Sequence, residues 1–341
     1  MSFLHSVSTL ATKDSASTMR ELMAASKFRE VVEYYRREIH AEQGRRPELV
    51  LLAGIAATRI ESLELAEELA GLALGRFTRI GDTDGRMRAL NLLGAINFKH
   101  GRLTQAEQSF SRALRYAFQL EDTLYIARTS NNLATIADLR GDPHAALALY
   151  RSALLAYHRM GDRRGTAETY HNLALAYRQM ARWEDAERVS GEAVRHAEVL
   201  HEGALLALTI CGRAELYLER GEVDVAGRSL DWATRVASES DNAVSAGDVE
   251  RVRALVALRR GDYRSAEESA ERARAIAEKY QNALLMADAN AASALALRAQ
   301  GSHQKAEERH DLACQGYMAL GATHFCERFE REWSLRPRLS C

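Results

Sequence analysis

Small apolar residues recur along this chain at a constant interval of 40 residues. In each interval an alanine is followed four and seven residues later by positions that are mostly apolar. Spacings of four and three residues place these positions on one stripe of a helix. The alanines that begin the stripes are Ala66, Ala106, Ala146, Ala186, Ala226, Ala266 and Ala306. The pattern predicts a stack of repeated helices that pack closely through small side chains.

Breaks in the pattern predict a second helix in each repeat. In most copies a glycine stands five residues before the alanine, as at Gly101 and Gly141, but Glu61 and Ala181 take its place in two copies. Glycine adopts the left-handed backbone that ends many helices, and a cation before it suits the helix C-terminus. A polar junction such as Gly161-Asp162 lies midway between these turns. Each repeat is therefore helix, turn, helix, turn, with helices of about 25 Å.

Two further motifs accompany the turns. An Ala–aromatic–Ala triplet such as Ala106, Phe110 and Ala113 follows the turn, and a leucine-containing pair precedes it. The pairs are Leu93-Gly94, Leu133-Ala134 and Leu173-Ala174. With these motifs, residues 45–321 resemble the tetratricopeptide-repeat (TPR) family, whose unit is an antiparallel helix pair.

The repeat length places the resemblance in one branch of that family. The usual period is about 34 residues, with a proline that ends the second helix. Here the period is 40 and the proline is missing, which is similar to kinesin light chains, LGN/Pins scaffolds and bacterial peptide-receptor TPR domains. The resemblance implies an all-α, right-handed superhelical solenoid of about seven helix pairs with a C-terminal capping helix.

The ends of the chain depart from the repeat. We predict a flexible lead-in over residues 1–18, a degenerate first helix pair over 19–44, a capping helix over 322–336 and a tail over 337–341. The apolar side chains of the capping helix recur every fourth residue, at Phe325, Phe329 and Trp333. This stripe either shields the last repeat, as terminal repeats require, or forms a homodimer or partner contact.

Composition narrows the classes of partner. The formal net charge is −1, whereas nucleic-acid-binding proteins usually carry a basic excess. No window approaches the 18 or so consecutive apolar residues of a membrane span. The 4 cysteines show no paired spacing, which suits a reducing compartment. We therefore expect a cytoplasmic protein that contacts neither nucleic acid nor membrane.

Motifs for catalysis or cofactor binding are missing. The sequence contains neither a GxxxxGK(S/T) phosphate loop nor a GxSxG nucleophile elbow. His303, His310 and the pair His324 and Cys326 lack a metal-site spacing such as HExxH or CxxC. We interpret these histidines as surface or packing residues. The prediction is a non-enzymatic protein without a metal or cofactor.

The resemblance also implies where a ligand would bind. In TPR proteins the first helix of each pair lines a concave groove, and its side chains 13, 10, 6, 3 and 2 residues before the turn face that groove. In this register the early half is mainly basic, and the stretch from Glu215 to Asp248 is acidic. Asparagine amides in the register suit an extended peptide because they both donate and accept hydrogen bonds. The predicted partner-binding residues are Arg59, Arg88, Asn91, Lys99, Arg128, Asn131, Asn132, His171, Asn172 and Arg178.

The same residues have simpler interpretations. The asparagines alternatively join neighbouring helices, and the cations alternatively form a solvated face. Our leading hypothesis is a protein- or peptide-binding adaptor that holds an extended, acidic segment of a partner. The alternatives are a ligand-responsive sensor of signalling peptides and a structural subunit that assembles through its last helix.

Overall fold

The computed structural model describes residues 15–39, 46–60, 62–239 and 243–335, and all regular structure in these ranges is helical. The chain divides into two compact units, Met1–Ile96 and Asn97–Cys341. None of the described helices is both long and apolar enough to cross a bilayer.

The described residues of the first unit form four α-helices and most of a fifth. Its core includes Met19, Val31, Leu49 and Phe77, each at most 3% exposed. The helix α1 begins at Ser15, inside the segment for which we predicted a flexible lead-in, while residues 1–14 and 40–45 lie outside the described residues. The helices are α1 (Ser15–Ala24), α2 (Phe28–Tyr34, continued by a π-helical turn over Tyr35–Ile39), α3 (Pro47–Arg59), α4 (Leu63–Ile80) and α5 (Thr83–Lys99).

The second unit continues the alternation of helix and short turn. The helix α5 ends in this unit, and twelve further helices follow it in the described residues: α6 (Leu103–Gln119), α7 (Thr123–Leu139), α8 (Pro143–Met160), α9 (Arg163–Gln179), α10 (Trp183–Leu200), α11 (Gly203–Glu219), α12 (Val223–Glu239), α13 (Ala243–Arg260), α14 (Tyr263–Lys279), α15 (Ala283–Ala299), α16 (His303–Ala319) and α17 (Thr323–Leu335). Helices α3 and α4 pack as a pair in the first unit, and helices α7 to α16 form consecutive pairs in the second, so the predicted all-α fold of repeated helix pairs is confirmed.

The turns have the chemistry that the sequence predicts. The glycines of the repeat turn have positive φ, for example 77° at Gly141, and Ala181 adopts the same conformation with φ 54°. Helix starts are capped by side-chain oxygens: Asp122 Oδ1 accepts from the Tyr125 N–H at 2.9 Å, and Asp142 Oδ1 accepts from the Ala145 N–H at 3.0 Å. Such caps satisfy N–H groups that a helix start leaves unpaired.

The alanine stripe forms the close contacts between helices. Its six later members, from Ala106 to Ala306, are at most 1% exposed. Four residues further on, Phe110 and Tyr150 are each 1% exposed and fill the space beside the small side chains. Truncating such a buried aromatic to alanine typically costs about 3–5 kcal/mol. The repeated stripe thus sets the register in which the first helix of each pair presents its polar side chains.

Candidate functional site

A buried carboxylate lies at the centre of a charged cluster in the second unit. Glu215, on α11, accepts hydrogen bonds from Arg178 on α9, with Arg178 Nη2 to Glu215 Oε2 at 3.1 Å, and from Arg251 on α13. The side chains of Glu215, Arg178 and Arg251 are 10%, 8% and 16% exposed. Each helix contributes one residue of the groove register, so successive repeats bring the three charges together.

The electrostatics of this cluster favour the ionised carboxylate. Burial by itself would raise the pKa of Glu215, but the guanidinium groups of Arg251 and Arg178 outweigh it and hold that pKa at about 2. Opposite charges nearby favour the charged form of an acid, and burial disfavours it. Glu215 is therefore an anion at neutral pH and joins two cations from the neighbouring helices.

Further carboxylates surround Arg251 and Arg178. Arg251 Nε lies 3.7 Å from Asp248 Oδ1 and 3.8 Å from Asp288 Oδ2. Tyr317 donates a hydrogen bond from its hydroxyl to Asp288 Oδ1 at 2.7 Å. Burial raises the pKa of Asp248 to about 6. We call the set Arg178, Glu215, Glu219, Asp248, Arg251 and Asp288 the Glu215 network.

Two buried polar atoms beside this network lack a hydrogen-bond partner in the described part of the chain. They are Nη1 of Arg178 and Oδ1 of Asp138. Burial raises the pKa of Asp138 to about 7, against the opposing charge of Arg178. Buried polar atoms are nearly always paired, so each of these two atoms is a point at which a ligand group or a water molecule would be favourable.

The last helix, α17, lies against the C-terminal ends of several first helices. His324 donates a hydrogen bond to the Leu139 carbonyl oxygen at the end of α7. Arg328 Nη1 lies 3.5 Å from Glu219 Oε1 at the end of α11, and Glu219 Oε1 also lies 3.3 Å from Arg178 Nε. Helix α17 is thus connected to the Glu215 network through Glu219.

The later part of α17 makes similar contacts. Glu332 pairs with Arg259 at the end of α13, with Arg259 Nη1 to Glu332 Oε1 at 3.0 Å. Arg298 of α15 donates to the Trp333 carbonyl oxygen at 2.7 Å, and its guanidinium carbon lies 4.2 Å from the centroid of the Trp333 ring. These contacts hold α17 across the ends of α13 and α15.

The predicted stripe of α17 is occupied by contacts within the chain. The ring centroids of Phe325 and Tyr317 lie 5.9 Å apart, and Phe329 is 5% exposed. The ring of Trp333 lies 4.7 Å from that of His310 on α16. Much of the stripe therefore packs against α15 and α16.

Three of the predicted binding residues belong to the first unit. Arg59 and Arg88 are exposed, and Arg88 Nε lies 2.8 Å from Asp84 Oδ2 one turn earlier on α5. Asn91 is partly buried, and its Oδ1 is a further buried atom without a partner in the described residues.

The remaining predicted residues belong to the second unit, where some of them meet. Asn131 Oδ1 accepts from Asn172 Nδ2 at 3.4 Å, so these two amides join α7 to α9. Lys99 and Arg128 are exposed, Asn132 is partly buried, and the Arg128 guanidinium lies 5.8 Å from the Tyr125 ring centroid.

His171 lies between the asparagines and the network. Its ring packs over Gly212 of α11, where an added Cβ would lie 2.6 Å from His171 Cε1. Burial lowers the pKa of His171 to about 4; Glu215 opposes this shift, and the positive charge of Arg178 adds to it. His171 is neutral at pH 7, so it presents one donor and one acceptor nitrogen.

From the sequence we described the stretch from Glu215 to Asp248 as acidic and did not identify its cationic partners. The structure pairs Glu215 with Arg178 and Arg251, which lie 37 residues before it and 36 after it. A comparison of charges one repeat apart in the register could have found these pairs. Arg328 could not have been found in this way, because α17 lies outside the repeat.

The repeats also match a known family. Residues 86–159 and 125–198 each match the family model described as "Tetratricopeptide repeat". Residues 86–198 therefore carry tetratricopeptide repeats. No curated protein sequence matches this chain.

Several solved structures share the fold. A Rap protein complexed with competence and sporulation factor has 14% sequence identity and a TM-score of 0.64, over 94% of this chain and 95% of that one. The Rap conjugation gene regulator of plasmid pLS20, in complex with the Phr* peptide, has 16% identity and a TM-score of 0.60, over 81% and 80%. Aspartyl phosphate phosphatase F from Bacillus subtilis has 15% identity and a TM-score of 0.55, over 97% and 96%. At these identities the likeness concerns the fold.

Proposed function

We propose that this TPR chain is a non-enzymatic module that binds a peptide or protein segment along α7, α9 and α11. The observation that carries the proposal is the pair of buried, unpartnered atoms Arg178 Nη1 and Asp138 Oδ1. Both belong to positions of the groove register, and the Arg178 charge acts on both Asp138 and His171. A peptide backbone offers the N–H and C=O groups that such atoms bind.

The solved structures of the same fold support a peptide as the ligand. Two of them are complexes by name, one with competence and sporulation factor and the other with the Phr* peptide. Another is named a phosphatase, and the fold alone does not determine function. We place this chain with the peptide-binding structures because its sequence lacks the catalytic motifs described above.

The charges favour an acidic segment as the ligand. The carboxylates of the Glu215 network are already paired with cations of the chain: Glu215 with Arg178 and Arg251, and Glu219 with Arg328. Arg128 and Lys99 are exposed in the same unit. In our proposal Arg128 and Lys99 attract the acidic side chains of the ligand. Asn131, Asn132 and Asn172 hold its main chain.

A selection from displayed peptides tests this proposal with the full chain as bait. We expect enrichment of peptides rich in Asp and Glu over a charge-reversed pool of the same length. Binding of a selected peptide should weaken at least tenfold in Arg128→Glu combined with Asn131→Ala, and it should weaken as salt screens the charges. Arg115→Glu is the matched control, because Arg115 is an exposed cation on the second helix α6. Equal binding by the double variant and the control would overturn the assignment of this face.

A second candidate function, a ligand-responsive sensor, is favoured by the contacts of α17. Arg328 shares Glu219 with Arg178, so a ligand that binds Arg178 also acts on a contact of α17. We expect a selected peptide to change the hydrogen exchange of α17 amides. Unchanged exchange with bound peptide would favour the adaptor over the sensor. Because the stripe of Phe325, Phe329 and Trp333 is taken up within the chain, assembly through it is not proposed.

A further inference from the structure

Three side chains with metal-binding atoms, those of His310, Cys314 and Glu330, converge where α16 packs against α17, and Cys326 lies beside them. His310 and Cys314 lie one turn apart on α16, and Cys326 and Glu330 lie one turn apart on α17. His310 Nε2 is 2.9 Å from Glu330 Oε1, and Cys314 Sγ is 3.3 Å from the same oxygen and 3.9 Å from His310 Nε2. The Cys326 thiol is close enough to Cys314 to help raise the pKa of the Cys314 thiol.

We propose that His310, Cys314, Cys326 and Glu330 form a binding site for Zn²⁺. The donors are one imidazole nitrogen, two thiol sulfurs and one carboxylate oxygen, and Zn²⁺ binds such mixed sets with tetrahedral geometry. Zinc–ligand bonds of about 2.0–2.3 Å at a tetrahedral angle separate the donor atoms by about 3.3–3.8 Å. The three separations given above, 2.9, 3.3 and 3.9 Å, bracket that range.

The surroundings of His310 hold its ring in the orientation that a metal requires. Its Nδ1 lies 3.2 Å from Asp311 Oδ1, on the side of the ring opposite Nε2. Metal-bound histidines commonly donate their second N–H to a carboxylate in this way, which fixes the tautomer and strengthens the ligand. The rings of Phe329 and Trp333 lie 5.3 and 4.7 Å from the His310 ring and confine it.

The sequence analysis predicted no metal site because it searched for ligand pairs in known motifs. Here each helix supplies two ligands four residues apart, which places them on one face. The pairs meet only because the turn between α16 and α17 makes the two helices antiparallel neighbours.

The site is open to solvent on one side. The side chain of Glu330 is 45% exposed and that of Asp311 is 71% exposed, so an ion from solvent can reach the site. Binding would fasten α17 to the last repeat.

Titration of the reduced, metal-free full chain with Zn²⁺ tests the proposal. We expect one equivalent to bind and to remain bound through gel filtration. Co²⁺ in place of Zn²⁺ should give the charge-transfer absorption of thiolate ligation. A site built only of hydrogen bonds would retain no stoichiometric metal, and that result would overturn the proposal. A disulfide between Cys314 and Cys326 that persists in the reduced preparation and leaves no metal bound would overturn it as well.

Variants separate metal binding from a general effect on folding. Cys314→Ser and Cys326→Ser should each lose about half of the charge-transfer intensity and most of the affinity, and Glu330→Gln should weaken binding at least tenfold. Asp311→Asn should weaken it about tenfold while the band is retained, because it removes only the carboxylate behind His310. His303→Ala is the control, since His303 lies seven residues earlier on the same helix. Equal affinity in Cys314→Ser and His303→Ala would overturn the assignment.

Discussion

His324 of α17 donates a hydrogen bond from Nδ1 to the carbonyl oxygen of Leu139, 185 residues earlier, at 2.9 Å. The turn that follows α7 fits closely around the same histidine. Gly141 in that turn has φ +77°, and a Cβ built on it would lie 3.1 Å from His324 Cβ. The glycine therefore serves two purposes, since it permits the left-handed turn and it leaves room for α17.

A pair of glycine variants should separate these two purposes. Gly261 has the same φ of +77° with nothing within 4 Å of an added Cβ. Gly141→Ala and Gly261→Ala should each lose about 1–2 kcal/mol of unfolding free energy, because an L-residue is disfavoured in this conformation. Only Gly141→Ala should also speed hydrogen exchange in α17. Equal exchange of α17 in the two variants would show that the contact with His324 does not hold the helix.

Ala181 offers the converse change. It occupies the turn position that is glycine in the other described repeats of the second unit, and its φ of 54° is left-handed. Ala181→Gly should raise the unfolding free energy by about 1 kcal/mol as this strain is relieved. Ala148→Gly, at an exposed position inside α8, should lower it by about 1 kcal/mol. Denaturant midpoints measure both, and a loss of stability in Ala181→Gly would contradict the interpretation.

These turns belong to the part of the structure that the sequence predicts well, because a helix end has a local signature. The groove register likewise placed Arg178, Glu215 and Arg251 on corresponding faces of their helices. It did not show that the three pair with one another, since pairing depends on how far one repeat is displaced from the next. The opposing charges and the burial of the cluster become visible only with the packed helices.

The C-terminal region was the hardest to predict, because α17 does not repeat anything. Its contact with Leu139 joins residues far apart in sequence, and no local pattern encodes it. His310 did carry a signal, since it occupies the stripe position where Phe110 and Tyr150 fill the core. A polar residue at a packing position points to a local role, here next to Cys314 and Glu330.

The Glu215 network should be sensitive to loss of its central charge. Glu215→Gln leaves the buried guanidinium groups of Arg178 and Arg251 without their shared anion. Breaking a buried ion pair from one side costs about 3–5 kcal/mol, so we expect a loss of that size in urea unfolding at pH 7. Glu268→Gln is the control, because Glu268 is 54% exposed and pairs with an 89% exposed Arg264. Exposed pairs contribute about 0–1 kcal/mol.

The stability that the Glu215 network contributes should depend on pH. The pKa of Glu215, about 2, lies below its ordinary value. A group with a depressed folded-state pKa contributes stability that is present above its unfolded pKa and is lost as pH falls toward the folded one. The difference in stability between the native chain and Glu215→Gln should therefore shrink from about pH 5 downward. A difference that stays constant to pH 3 would show that the loss comes from packing and not from charge.

The contribution of Asp138 to stability should depend on pH in the opposite direction. Burial raises the pKa of Asp138 to about 7, so between about pH 4 and pH 7 the folded chain holds a proton that the unfolded chain releases. The resulting stability is present at low pH and is lost as pH rises through 7. Asp138→Asn keeps the neutral form at every pH, so its stability gain over the native chain should be about 2 kcal/mol larger at pH 8 than at pH 5. Denaturant unfolding at both pH values measures the difference. Asp231→Asn is the control, because Asp231 is exposed on α12, and its unfolding free energy should change little at either pH. A stability gain from Asp138→Asn that is the same at both pH values would mean that Asp138 is ionised in the folded chain at both.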